Sequence, residues 1–106
     1  MNPTKILIIE DNIVTLGDLE MRVGQMGYEK IETAVTGEEA IEIAETFKPG
    51  IILSDINLGD GITGIEAVQK IREKLDVPVV YLTAYDDDKT LAEAGITEPY
   101  AYLLKP

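Results

Sequence analysis

The stretch Ile6-Leu7-Ile8-Ile9-Glu10-Asp11 decides the fold. Its four consecutive apolar residues predict a strand buried on both faces, and two carboxylates stand directly at the end of that strand. Residues 12–26 then carry apolar side chains at helical spacing, and Gly27 stands where such a helix ends. A buried strand followed by an amphipathic helix is typical of a parallel sheet.

The same strand–helix unit recurs along the rest of the chain. The sequence predicts further strands over residues 30–34, 51–53, 77–82 and 100–104, and further helices after Thr36, after Thr63 and over 88–94. Right-handed crossovers leave few ways to wind such a chain. We therefore expect an α/β fold, a doubly wound five-stranded parallel sheet in the flavodoxin-like order 2-1-3-4-5.

Length and charge exclude several classes of function. The 106 residues suffice for one domain, 1–106, and the net charge of −11 disfavours direct binding to nucleic acid or to an anionic membrane surface. The chain has no His and no Cys, so it lacks the usual general base and any thiolate. No apolar stretch reaches the roughly 20 residues of a membrane span, and we expect a cytoplasmic domain.

Polar residues follow the predicted strands where ligands bind in such sheets. Glu10 and Asp11 follow the first strand, Asp55 the third, Thr83 the fourth and Lys105 the fifth. The first and third strands are expected to be neighbours, so their three carboxylates should converge and repel one another. All-oxygen ligation favours a hard cation, and Mg²⁺ suits a partly hydrated site that is open to phosphate.

These residues resemble the response-regulator receiver domains of two-component signalling. The resemblance covers the chain from about residue 4 to its last residue, and it is carried by four segments: 6–12, 51–55, 79–84 and 102–106. It implies a phosphorelay switch that phosphorylates and dephosphorylates itself and turns over no metabolite. The implied donor is a histidine kinase or a histidine phosphotransfer protein, and the implied reader is an output partner of unknown identity.

The resemblance also implies a role for each matching residue. Asp55 is the expected phosphoacceptor, and Mg²⁺ is expected on Glu10, Asp11, Asp55 and the backbone carbonyl of Asn57. The phosphoryl oxygens are expected to meet Thr83, the backbone N–H of Ala84, and Lys105. Thr83 and Tyr102 are the expected switch pair.

The chain departs from the family pattern at two places. The loop 59–63 holds one residue more than usual, and the chain ends at Pro106, where the family continues into a fifth helix. We expect either a fragment that lacks this helix, which leaves apolar area on Ile6, Ile8, Ile52 and their neighbours in water, or a partner that covers this face. A homodimer through that uncovered face, or through the face of the fourth helix and fifth strand, is the corresponding expectation.

Three other classes of function fit the sequence less well. A Mg²⁺-dependent phosphohydrolase with an aspartyl nucleophile is the alternative, but such enzymes usually place an acid where this chain has Asn57. A flavodoxin-like cofactor site would need a Ser/Thr/Gly-rich loop in place of residues 10–12. Residues 59–64 spell G-x-G-x-x-G, yet Asp55 and Asp60 flank that loop and disfavour a pyrophosphate.

Overall fold

The computed structural model describes residues 2–55, 64–83 and 101–104, with the backbone alone for residues 2–3, 82–83 and 101–104. Strands and helices alternate in the order β1 (Asn2–Ile9), α1 (Ile13–Gln25), β2 (Tyr28–Ala34), α2 (Gly37–Phe47), β3 (Ile51–Asp55), α3 (Gly64–Arg72), β4 (Val79–Thr83) and β5 (Ala101–Leu104). The helix predicted over 88–94 lies outside the described residues. Within the described ranges, every helix is too short or too polar to cross a bilayer.

The sheet is parallel, and β1 lies in its interior. The predicted flavodoxin-like order is confirmed over the four strands β2-β1-β3-β4. Ile9 pairs with Ala34 of β2 and with Ser54 of β3, so all three strands end at nearly the same level. The short strand β5 runs parallel to β4, with Leu104 opposite Thr83. The carboxyl ends of the strands therefore share one edge, where the polar residues follow.

Side-chain caps fix where α1 and α2 begin. Asn12 Oδ1 accepts hydrogen bonds from the backbone N–H groups of Val14 (3.0 Å) and Thr15 (3.1 Å), which places the start of α1 directly after the two carboxylates. Thr36 Oγ1 accepts a bond from the N–H of Glu39 (3.1 Å). In a capping box the glutamate returns to the N–H of the cap residue, but Glu39 Oε1 accepts from Val35, one residue earlier.

Two apolar layers lie on opposite sides of the sheet. On one side, α2 and α3 pack against the buried side chains of Leu7, Ile9, Ile52, Val79 and Tyr81. On the other side, Leu16 and Val23 of α1 pack against Ile6 and Ile8. Alternate residues of a strand point to opposite faces, so β1 contributes to both layers. This explains why its apolar run is continuous rather than alternating.

The prediction that Ile6, Ile8 and Ile52 leave apolar area in water is wrong. Their exposures are 5%, 0% and 0%. Ile6 and Ile8 are covered by α1, and Ile52 lies opposite Leu7 in the register, so it faces α2 and α3 instead. The half-buried residues on the α1 side are Ile51 and Leu53 of β3. A homodimer through an uncovered face can therefore not use the three residues first named for it.

Substitution of Gly64 by alanine tests how tightly α3 meets the end of β3. A Cβ atom at Gly64 would collide with the backbone carbonyl oxygen of Asp55, whereas one at Gly17 of α1 meets nothing within 4 Å. We expect Gly64→Ala to lower the free energy of unfolding by about 1–3 kcal/mol. The matched control Gly17→Ala should raise it by about 0.5–1 kcal/mol through helix propensity. Urea unfolding measures both, and equal effects would contradict the contact.

Candidate metal and phosphoryl site

Three carboxylates meet at the carboxyl ends of β1 and β3. Glu10, Asp11 and Asp55 each offer an oxygen, and these oxygens all lie within 4.8 Å of one another. The register explains this meeting. Ile9 pairs with Ser54, so Glu10 and Asp55, which directly follow these two residues in the chain, lie at the same level. The convergence that the strand order predicts is what the structure shows.

The three carboxylates differ in their access to solvent. Glu10 and Asp55 are 1% and 3% exposed, whereas Asp11 is exposed. The backbone N–H of Glu10 donates to the carbonyl of Ala34 (3.0 Å), which holds Glu10 against the end of β2. Two of the three carboxylates are thus buried, and the cluster is open to solvent at Asp11.

The backbone of Asp55 is held by two residues that the sequence did not single out for this purpose. The Ser54 hydroxyl, fully buried, donates to the Asp55 carbonyl at 2.9 Å. Gly64, the first residue of α3, lies directly against the same carbonyl. The role of Ser54 could have been inferred from the sequence, because a hydroxyl buried in an otherwise apolar strand needs a hydrogen-bond partner. The contact of Gly64 could not be read from the sequence.

Burial raises the pKa of Glu10 from 4.5 to about 7. The largest cause is the loss of solvent around the carboxylate, followed by hydrogen bonds to the Asp55 and Asp11 side chains and by the charge of Asp55. The backbone N–H of Asn12, 3.4 Å from Glu10 Oε2, acts in the opposite direction. The sequence predicted mutual repulsion as the cause of such a shift, but burial contributes more.

The donor set fits a divalent cation with a preference for oxygen ligands. All three side chains offer carboxylate oxygens, and burial together with the neighbouring carboxylates raises the pKa of Glu10 to about 7. A cation bound by these oxygens would compete with the proton on Glu10. Carboxylates with one open side are typical of a Mg²⁺ site that retains water and accepts a phosphate oxygen.

The remaining predicted site residues are described in part or not at all. The backbone of Thr83 ends β4, opposite Leu104 of β5, so the residue that precedes Lys105 lies beside Thr83. The backbone of Tyr102 lies in β5, opposite Tyr81. Asn57, Ala84 and Lys105 lie outside the described residues. The structure therefore brings together Glu10, Asp11 and Asp55, and the other assignments stay predictions.

Comparison with known proteins identifies the family of this chain. The family model for the response regulator receiver domain matches residues 6–106, nearly the whole chain. The chain belongs to the response regulator receiver domain family. The resemblance read from the sequence is thereby confirmed, and proteins of this family act as regulatory switches rather than metabolic enzymes.

Curated relatives are longer than this chain. The phyllosphere-induced regulator PhyR of Methylorubrum extorquens is 41% identical over 104 residues, which cover 97% of this chain and 38% of PhyR. The transcriptional regulatory protein PdtaR of Mycobacterium tuberculosis is 35% identical over 104 residues, which cover 98% of this chain and 50% of PdtaR. The receiver thus spans about two fifths to a half of the length of these relatives.

Solved structures with the same fold come from several kinds of protein. The receiver domain of a modulated diguanylate cyclase from Desulfovibrio desulfuricans superimposes with a TM-score of 0.91 at 28% identity, covering 99% of this chain and 83% of that chain. The chemotaxis protein CheY4 of Vibrio cholerae gives 0.89 at 27% identity, covering 99% and 88%. The anti-anti-sigma factor PhyR of Bartonella quintana gives 0.79 at 30% identity, covering 100% and 42%.

The pKa of Glu10 predicts a specific loss of stability as the pH rises. In the unfolded chain Glu10 loses its proton near pH 4.5, whereas in the folded, metal-free protein it keeps the proton up to about pH 7. The folded state therefore binds more protons than the unfolded state in this window. The contribution of Glu10 to the free energy of unfolding falls between pH 4.5 and about 7 and does not change above that pH. The contribution of Glu10 is about 3 kcal/mol or less.

Urea unfolding of the wild type and of Glu10→Gln, in EDTA at pH 5 and pH 8, measures that contribution. Between the two pH values, we expect the wild type to lose more stability than Glu10→Gln. Glu20→Gln, at an exposed position of α1, should behave as the wild type. Mg²⁺ should stabilise the wild type more at pH 8 than at pH 5, because protons compete for the same oxygens. Parallel pH profiles for wild type and Glu10→Gln would contradict the shift.

Proposed function

We propose that this receiver accepts a phosphoryl group on Asp55 from the phosphohistidine of a histidine kinase or of a histidine phosphotransfer protein. The observation that supports this most directly is the position of Asp55. It ends a central strand, its backbone is fixed by Ser54 and Gly64, and the exposed carboxylate of Asp11 marks the open side of its cluster. Membership of the receiver family supports the same role.

The proposed transfer is a displacement at phosphorus. A carboxylate oxygen of Asp55 forms the new O–P bond while the N–P bond to the donor imidazole breaks, and the imidazole nitrogen keeps the electron pair. The product is an aspartyl phosphate. The rigid backbone of Asp55 favours this step because the attacking oxygen is held in place before the donor arrives.

Mg²⁺ is the proposed cofactor, held by Glu10, Asp11, Asp55 and the backbone carbonyl of Asn57. When bound, it supplies the positive charge that lets an anionic phosphoryl group approach three carboxylates. We propose further that Lys105, the Thr83 hydroxyl and the Ala84 N–H contact the phosphoryl oxygens. Thr83 and Tyr102 then form the switch that changes the surface read by an output partner.

An exposed apolar pair beside the site fits the docking of the phosphoryl donor. Ile13 and Val14, the first residues of α1, are 75% and 83% exposed and follow Asp11 by two and three residues. Exposed apolar side chains next to a reactive group are typical of a protein contact. We propose that the donor protein packs on this pair while its phosphohistidine faces Asp55.

The output lies with a partner or with further domains. Bartonella PhyR is described as an anti-anti-sigma factor, and Mycobacterium PdtaR as a transcriptional regulatory protein. These relatives share the receiver with this chain but differ in output, so the receiver is the common signal input. We propose that this chain works in the cytoplasm and that phosphorylation regulates an output of this kind, gene expression being the shared theme.

Incubation with acetyl phosphate and Mg²⁺ tests the acceptor. Intact mass should rise by one phosphoryl group in the wild type, and Asp55→Asn should abolish the gain because an amide is a far weaker nucleophile. Asp76→Asn is the matched control, since Asp76 is exposed and lies outside the cluster. A phosphorylated Asp55→Asn protein, or a wild type that gains mass equally well in EDTA, would refute the assignment.

Substitution of the apolar pair separates docking from chemistry. In Ile13→Ser/Val14→Ser, transfer from a panel of phosphorylated histidine kinases should slow about tenfold or more, as the loss of central apolar contacts usually costs 1–2 kcal/mol. Phosphorylation by acetyl phosphate should keep its rate, because this donor is too small to use the surface. Met26→Ser, 72% exposed just beyond the far end of α1, is the control. Equal slowing with both donors would exclude a docking role.

A further inference from the structure

We propose that a cavity between α2 and α3 binds a small amphipathic anion, with an apolar body and one carboxylate or sulfonate group. The cavity has a volume of about 410 Å³. Its apolar lining consists of Ile41 and Ala44 from α2, Ile71 from α3, and Leu75. Ligand sites of small molecules usually measure about 300–1,000 Å³ and are mostly apolar.

Three lysine side chains form part of the lining of this cavity. Lys48, Lys70 and Lys74 line it together with Glu45 and Glu73. The chain has only nine lysines and arginines in all, against 20 acids, so a third of its cations stand at one cavity. With two glutamates beside the three lysines, the lining has a net charge of +1 in a chain of net charge −11, which favours an anionic ligand at this place.

Two of the three lysines are available to a ligand. Lys74 Nζ lies 3.3 Å from Glu45 Oε1, an exposed ion pair. Lys48 and Lys70 form no ion pair with any residue in the ranges that the structure describes. Their ammonium groups can therefore contact an anionic head group while the apolar body of the ligand covers Ala44 and Ile71.

The backbone at Lys48 supports a role for its side chain. Lys48 ends α2 in the left-handed conformation, with φ 51°, and it is the only non-glycine residue with positive φ in the described part of the chain. Glycine or asparagine usually occupies this position, because other residues incur a cost of about 1 kcal/mol. A lysine here incurs that cost and places a cation in the lining of the cavity.

The cavity is remote from the carboxylate cluster. It is lined by the second half of α2 and the end of α3, and the chain returns from α2 to the sheet at Gly50, whose N–H donates to the carbonyl of Lys5 at 2.8 Å. Lys5 lies in the first half of β1, whereas Glu10 follows its last residue. The cavity is therefore a separate site from the carboxylate cluster.

Two fluorescent probes with the same ring system test the proposal. 8-Anilinonaphthalene-1-sulfonate carries an anion, and N-phenyl-1-naphthylamine lacks it. We expect the anionic probe to bind one site on the folded wild type and to bind about fivefold more weakly to Lys48→Gln/Lys70→Gln. The neutral probe should bind both proteins equally. Arg22→Gln/Lys30→Gln changes the net charge by the same amount away from the cavity, and should bind the anionic probe as the wild type does.

Amide chemical-shift changes on addition of the anionic probe locate the site. They should centre on Ala44, Ile71 and Leu75, and Ala44→Leu, which fills the cavity, should abolish them while circular dichroism shows an intact fold. Changes centred on Ile13 and Val14 instead, equal affinity for both lysine variants, or no binding to the folded wild type would each overturn the proposal. So would a concentration-dependent dimer that covers the cavity in the free protein.

Discussion

The adjacency of β1 and β3 is the constraint on which the rest of the site depends. The pairing of Ile9 with Ser54 forces Glu10 and Asp55 to the same level, and Asp11 follows directly. The oxygens of the three carboxylates then lie within 4.8 Å. An apolar sheet would normally exclude such a group of charges. Its presence at the end of two central strands means that the fold accepts an electrostatic cost at this position, as functional sites commonly do.

The two adjacent carboxylates of this cluster lie in different environments. Glu10 is buried and holds its proton to about pH 7, whereas Asp11 remains exposed to solvent. The two adjacent residues thus serve different purposes in the metal-free state, although both are carboxylates. The difference follows from position: the backbone of Glu10 is bonded to Ala34 at the end of β2, and Asp11 lies beyond the sheet. Metal binding would displace the proton from Glu10.

Sequence reasoning succeeded where local pattern and topology agree. The continuous apolar run of β1, the helix that follows Asn12, and the order β2-β1-β3-β4 were all predictable, as was the convergence of Glu10, Asp11 and Asp55. It failed for the exposure of Ile52, because the face on which a central strand residue lies depends on its register with the neighbouring strand. It also missed the close contact between Gly64 and the Asp55 carbonyl, which joins residues across a loop.

That contact has a mechanical consequence. At Gly64 the main chain of α3 touches the main chain of the acceptor with no side chain between them. A change of rotamer cannot take up a displacement there, so a movement of the Asp55 backbone would press on the first turn of α3. The nine residues of α3 span about 13.5 Å. The far end of α3 is Arg72, next to Ile71 in the cavity wall, so a displacement of the acceptor strand would have a direct route along this helix toward the cavity.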